Sequence, residues 1–286
     1  MSRIDIRVSE AAGFCWGVRR TVEEAFAAAG RHAGTVATLG PIIHNPQVVE
    51  RLARRGVAVR QRVSDIADGT TVVVRTHGAP KAELEAARAR GLDVIDGTCP
   101  WVKAPQVHVQ RASAEGYHVI VVGDPEHPEI RGVVSYVAGP VTVLPPGEPL
   151  PELPGVRKVA LVAQTTLAGE AFERVVAQCL RRFKEVRVFN TICDDTGERQ
   201  AEARALAAEV DVVVVIGGRQ SANTRHLVEI CAAVQPRTHQ VETVAELRPE
   251  WFTGAAHVGV CAGASTPDWS IAEVVGELEA LPPEAA

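Results

Sequence analysis

Three stretches of this chain look like copies of one unit, and a cysteine opens each of them: Cys15, Cys99 and Cys193. A strand-like run precedes each cysteine, at 4–8, 92–95 and 186–189, and a helix-like run follows. A glycine ends another apolar strand 24 or 25 residues later, at Gly40, Gly123 and Gly217, and a polar loop comes after it. A second strand in each copy ends in a polar pair: Thr76-His77, Thr165-Thr166 or Ser265-Thr266. Apolar strands such as 72–74, 119–122, 159–162 and 212–216 alternate with helical runs, which predicts parallel sheets covered on both faces. The expected fold class is therefore α/β, built from three units related by a pseudo-threefold axis. Three equivalent cysteines then converge on that axis, ringed by loops at the carboxyl ends of strands, where parallel sheets bind ligands. That arrangement suits a metal cluster with a substrate pocket over it.

Spacing divides the chain. The cysteines are 84 and 94 residues apart, and 93 residues follow the last. Residues 1–15 read as a leading strand and the first cysteine, packing with the third unit. The units themselves read as 16–98, 99–192 and 193–286. Apolar periodicity predicts helices over 18–29, 81–90, 169–183, 197–208 and 224–233. The proline-rich stretch 144–154 reads as a surface loop, and the tail from 281 to 286 as frayed.

Composition excludes several classes. Charged residues make up 23% of the 286, the net charge is −5 and the pI is about 6.0, so nucleic acid is not an expected partner. No apolar run approaches the roughly 18 residues of a membrane helix, and the N-terminus lacks the apolar core of a signal peptide. We expect a cytoplasmic protein. Six cysteines are too sparse for a disulfide scaffold. Cys179, Cys231 and Cys261 lie in helix- or strand-like runs and read as small buried hydrophobes.

The other three thiols sit in turns entering helices, where free N–H groups and the macrodipole favour the thiolate. Iron–sulfur clusters are held by such thiolates, and three of them leave one iron of a 4Fe–4S cube open to substrate. No Cys-x-x-Cys pair occurs, so ribbon and ferredoxin patterns fail, while zinc with three cysteines and a histidine stays formally open. His44, His77 and His127 occupy related strand-end loops. A lone histidine is usually structural; three at repeat positions make a ring suited to phosphate oxygens. In the third unit Ser221, Asn223 and Ser265 supply neutral donors, and helix starts add backbone amides. His32, His108, His118, His226, His239 and His257 show no such placement. Glu129 is a candidate proton donor and Glu126 the solvated carboxylate beside it. At the end of the strand 159–162, Thr165 can donate to a substrate oxygen while Thr166 caps the next helix.

Taken in order, these segments resemble the LytB family of 4-hydroxy-3-methylbut-2-enyl diphosphate reductases. The matching runs are Gly-Phe-Cys15-Trp-Gly-Val, Gly-Pro-Ile-Ile-His44-Asn, His77-Gly, Thr-Cys99-Pro, His127-Pro-Glu129, Gln-Thr165-Thr166, Thr-Ile-Cys193 with Arg199-Gln200, Ser221-Ala-Asn223 and Ala-Gly-Ala-Ser265. The resemblance implies a trefoil of three α/β domains around a central 4Fe–4S cluster on Cys15, Cys99 and Cys193, which oxygen can strip to 3Fe–4S. It implies a substrate hydroxyl directed at the open iron and a diphosphate held by His44, His77, His127, Ser221, Asn223 and Ser265. Thr165 would bond the substrate oxygen, with Glu129 and His127 in the catalytic set. The products would be isopentenyl and dimethylallyl diphosphate, and the electron donor a ferredoxin or flavodoxin. Trp16 and Ala222 depart from the family pattern, Ala222 by lacking a hydroxyl worth about 1 kcal/mol. The alternatives are a related cluster enzyme doing non-redox hydration or sulfur removal, and a non-enzymatic metal-stabilised or phosphate-sensing module.

Overall fold

A computed structural model describes residues 4–31 and 35–281 of the protein. His32 and the tail beyond Leu281 lie outside the described residues. The elements begin with β1 (Asp5–Val8), α1 (Trp16–Arg31), β2 (Val36–Leu39), α2 (Pro46–Ala53), β3 (Val57–Arg60), β4 (Thr71–Val74) and α3 (Lys81–Ala89). Then come β5 (Asp93–Asp96), α4 (Pro100–Ala114), β6 (His118–Val122), α5 (Pro128–Val134), β7 (Val141–Leu144), β8 (Lys158–Ala163) and α6 (Gly169–Arg182). The chain continues through β9 (Glu185–Val188), α7 (Asp194–Glu209), β10 (Val212–Ile216), α8 (Ala222–Val234), β11 (Thr238–Val241), β12 (His257–Ala262) and α9 (Asp268–Ala280). Among the described residues, no helix is long and apolar enough to cross a membrane.

The chain forms two compact units. One comprises Met1–Arg19, His44–Val48 and Asp194–Ala286 and holds one parallel sheet of order β1-β12-β10-β11. Strand β10 shows why it is buried on both faces. Val212, Val214 and Ile216 pack with Phe252, Val274 and Leu278 on one side; Val213 and Val215 pack with Ala203, Leu227 and Cys231 on the other. Alternate residues of one strand thus serve two cores, so the run must be apolar throughout.

The other unit comprises Arg20–Ile43 and Val49–Cys193 and holds two parallel sheets, β3-β2-β4-β5 and β7-β6-β8-β9. Val72, Val74, Leu39 and Leu84 centre the first core, and Ile120, Leu161 and Phe172 one face of the second. Each such side chain, fully buried, contributes about 1.5–3 kcal/mol. The proline-rich stretch after β7 is not wholly a surface loop: Leu150 docks into the core beside Phe172.

All three sheets share one strand order, and in each the edge strand runs directly into a cysteine turn: β1 into Cys15, β5 into Cys99, β9 into Cys193. The short strands β3, β7 and β11 complete the sheets, and α2 and α5 are short helices beside them in the chain. Helix α7 starts at Asp194, three residues before the apolar pattern begins, because Asp194 and Asp195 suit a first helical turn electrostatically.

Candidate active site

Each cysteine turn is pinned the same way. The Cys15 amide donates to Ala264 O at 3.3 Å, the Cys99 amide to Thr76 O at 3.0 Å, and the Cys193 amide to Thr165 O at 2.9 Å. These acceptors follow β12, β4 and β8, at or beside the polar pairs that recur in the sequence. A helix starts immediately after every thiol. Cys99 is the N-cap of α4 and is 8% exposed. Burial raises its thiol pKa, while the amides of Trp101 and Val102 and the charge of Arg20 act in the opposite direction. Amides at a helix start beside the thiol are a donor set that fits an iron–sulfur ligand. Trp16, next to Cys15, is 64% exposed.

Ahead of Cys99 the turn is tightly built. Gly97 O accepts from Thr21 Oγ1 at 2.6 Å, the Thr98 amide donates to Asp96 Oδ1 at 3.0 Å, and Lys103 pairs with Asp96 at 2.7 Å. A Cβ on Gly97 would lie 2.3 Å from Val74 O, so the backbone approach there requires glycine.

In the same unit Glu129 is 1% exposed and joined to Thr165 twice. The Thr165 amide donates to Oε1 and its hydroxyl to Oε2, both at 2.7 Å. Burial pushes the Glu129 carboxyl up to about 7, against the lowering effect of those two bonds. His127 caps α5: its Nδ1 accepts from the Glu129 amide at 3.2 Å. That bond assigns the remaining proton of a neutral ring to Nε2. The His77 ring stands edge-on to it, with centroids 5.2 Å apart. Glu126 is solvated and paired with Arg131, as expected. Thr166 does not cap α6, whose N-cap is Ala168; its hydroxyl instead accepts from Gln164 at 3.3 Å.

The other unit carries a cradle of buried polar groups. Ser221 caps α8, accepting from the Thr224 amide at 3.3 Å. Asn223 is 5% exposed, yet neither Nδ2 nor Oδ1 has a partner, and the buried Ser265 hydroxyl also lacks one. These residues sit past the carboxyl ends of the paired strands β10 and β12, at a helix start. Buried polar groups without partners are rare in proteins and costly, and donors at a helix N-terminus are able to hold an anion. His44 belongs to this unit too; its carbonyl lies 2.5 Å from where a Gly218 Cβ would be. Asn45, which the sequence offers only as a member of the loop after Gly40 with no role of its own, braces the cradle: its Nδ2 donates to Ser265 O at 3.0 Å and its Oδ1 accepts from the Val48 amide.

The remaining described histidines have other contacts. His108 stacks on Phe189 at 4.2 Å and His239 on Trp251 at 4.1 Å, while His118 bonds Thr142 and His257 faces Asp211. Cys179, Cys231 and Cys261 are fully buried, as expected of core residues.

The profile of the LytB protein family matches residues 6–279. The chain belongs to the LytB family. A LytB relative from Anaeromyxobacter sp. (strain Fw109-5), named 4-hydroxy-3-methylbut-2-enyl diphosphate reductase, is 60% identical over 97% of this chain and 98% of its own length. A relative of the same name from Geobacter sulfurreducens is 52% identical over 96% of this chain and 97% of its own. A solved (E)-4-hydroxy-3-methyl-but-2-enyl diphosphate reductase, described as the terminal enzyme of the non-mevalonate pathway, aligns with a TM-score of 0.73 at 44% identity. That alignment covers 96% of this chain and 99% of the other. The Plasmodium falciparum E-1-hydroxy-2-methyl-but-2-enyl-4-diphosphate reductase shares the fold, with a TM-score of 0.90 at 23% identity over 99% of this chain and 90% of its own. LytB proteins are iron–sulfur oxidoreductases.

Proposed function

We propose that this chain reductively removes the hydroxyl of 4-hydroxy-3-methylbut-2-enyl diphosphate, giving isopentenyl and dimethylallyl diphosphate. Two electrons and two protons enter, the carbon–oxygen bond breaks, and the oxygen leaves as water. The observation that carries this reading is the dry Glu129 carboxyl, bonded through both oxygens to Thr165, in a chain whose close LytB relatives bear the name of this reaction.

In this reading Cys15, Cys99 and Cys193 hold a 4Fe–4S cluster. With three thiolate ligands the cluster supplies electrons and Lewis acidity at its one iron free of protein. The substrate diphosphate lies among His44, His77, His127, Ser221, Asn223 and Ser265. Support comes from the orphaned atoms of Asn223 and Ser265. Thr165 bonds the substrate oxygen. A carboxyl whose pKa is about 7 holds a proton in half the molecules at neutral pH, and Thr165 Oγ1, 2.7 Å away, is placed to pass it on. Electrons come from a ferredoxin or flavodoxin, and the protein works in the cytoplasm. We assign residues 16–98, 99–192 and 193–286 to three domains, with residues 1–15 joining the third. Strand β1 pairing with β12 supports the last assignment.

Iron analysis tests the ligand set. Anaerobic reconstitution should give about four irons per chain, and Cys99→Ser should lose or destabilise them. Unchanged iron in Cys99→Ser would overturn the assignment.

A further inference from the structure

Two buried or half-buried arginines outside the proposed reaction hold turns that present ligand cysteines. Arg20 lies in α1, five residues beyond Cys15 (positions 15 to 20). Its Nη2 donates to Gly97 O at 3.1 Å and to Thr98 O at 3.0 Å, the two carbonyls immediately before Cys99. Arg199 lies in α7, six residues beyond Cys193 (positions 193 to 199), and is 5% exposed. Its Nη1 donates to Ala11 O in the turn leading to Cys15, and to Ala262 O at 3.4 Å. From the next turn of α7, Glu202 accepts from the amides of Glu10 and Ala11. Helix α7 therefore grips that segment by a carbonyl and by two amides.

Burying a guanidinium is expensive unless its donors are satisfied. Arg199 meets the cost with Asp195 at 2.7 Å and directs its other donors to main-chain carbonyls. Neither arginine carries an acid or a nucleophile to a substrate; both fix backbone. The turn before Cys193 is fastened by a threonine and a ring stack. Thr191 Oγ1 donates to Ala163 O at 2.6 Å, and Phe189 stacks on His108 of α4, the helix that Cys99 opens.

We propose that Arg20 and Arg199 are positioning residues for the cluster, each carried by the helix one cysteine opens and fixing the turn that presents another. Ligation is thereby coupled from thiol to thiol: α1 steadies the Cys99 turn, α4 the strand end before Cys193, and α7 the Cys15 turn. The inference rests on Cys15, Cys99 and Cys193 being the ligands. Arg20 has a second effect, because it fixes a positive charge at the two carbonyls immediately before Cys99, and a cation there favours the reduced, more negative cluster.

The test uses the reconstituted, cluster-loaded full chain as wild type, Arg20→Gln, Arg199→Gln and Arg20→Lys. Iron content, iron loss to a chelator, midpoint potential and global unfolding rate are measured on the same samples. Both glutamine variants should lose iron about tenfold faster than wild type, the effect of removing a charge-assisted hydrogen bond. Arg20→Gln should also lower the midpoint potential, whereas Arg20→Lys should keep the potential but not the slow iron loss. Wild-type iron loss in both glutamine variants overturns the proposal. So does faster loss matched by equally faster global unfolding, or failure of the glutamine variants to fold, since either makes the arginines merely structural. Wild-type protein that takes up no iron overturns the proposed function and this inference with it.

Discussion

Replacing Glu129 by Gln separates the proton chemistry of this carboxyl from its shape. The residue is 1% exposed, and burial lifts its pKa from 4.5 to about 7. That rise corresponds to about 3 kcal/mol of bias against the charged form. At pH 6 about nine-tenths of the carboxyl is protonated and at pH 8 about one-tenth. The folded pKa is the raised one. Its stabilising contribution is therefore complete below about pH 4.5 and is lost as pH rises through about 7. Glutamine mimics the protonated form: one oxygen still accepts from the Thr165 amide, but no proton can be given up. The infrared carboxylic carbonyl band of wild type minus Glu129→Gln, followed from pH 5 to 9, should vanish with a midpoint near 7. Turnover in the variant should fall by about 10²–10⁴-fold with the cluster retained. Wild-type turnover should decline as pH rises above the midpoint. Thr165→Val deletes a hydrogen bond that favours the anion, so its midpoint should move up by about one unit. A band midpoint near 4.5 would refute the claim that this carboxyl is desolvated, and with it the basis for Glu129 as proton donor.

Asn223→Ala should weaken substrate binding about tenfold while leaving stability in the substrate-free protein unchanged or slightly improved, because its orphaned amide costs desolvation without return; calorimetric titration and denaturant melts read the two effects. Gly217→Ala should destabilise by about 1–3 kcal/mol and impair binding, since its φ is +151° and a Cβ would lie 2.6 Å from Thr224 Oγ1. Cys179, Cys231 and Cys261, all 0% exposed, should react with a thiol reagent only as the protein unfolds; mass spectrometry of native, labelled protein checks this.

The parts of the site that were legible in the sequence are the local ones. A strand, a cysteine and a helix in succession recur within short windows, so the three thiol turns and the loops after Gly40, Gly123 and Gly217 could be read directly. The polar pairs proved to lie at or beside the carbonyls that accept from the cysteine amides, at Thr76, Thr165 and Ala264. What was not legible depends on contacts between distant segments. Arg20 and Arg199 sit in helices whose polar faces give no sign that a guanidinium turns inward to backbone some 77 or 188 positions away. Asn45 looks like an ordinary loop residue until its amide is seen to hold Ser265. Thr166 was expected to cap a helix because threonine often does, but the chain runs on to Gly169 before the helix begins. Short edge strands such as β3 and β11 owe their form to pairing with β2 and β10, which no local pattern records.

The most direct test of the central claim is anaerobic turnover. The protein is reconstituted with iron and sulfide and given a chemical reductant. Conversion of 4-hydroxy-3-methylbut-2-enyl diphosphate is then followed by chromatography. The account predicts isopentenyl and dimethylallyl diphosphate with release of water. No turnover from protein carrying about four irons per chain would contradict it, leaving the cluster assignment standing and the proposed reaction wrong.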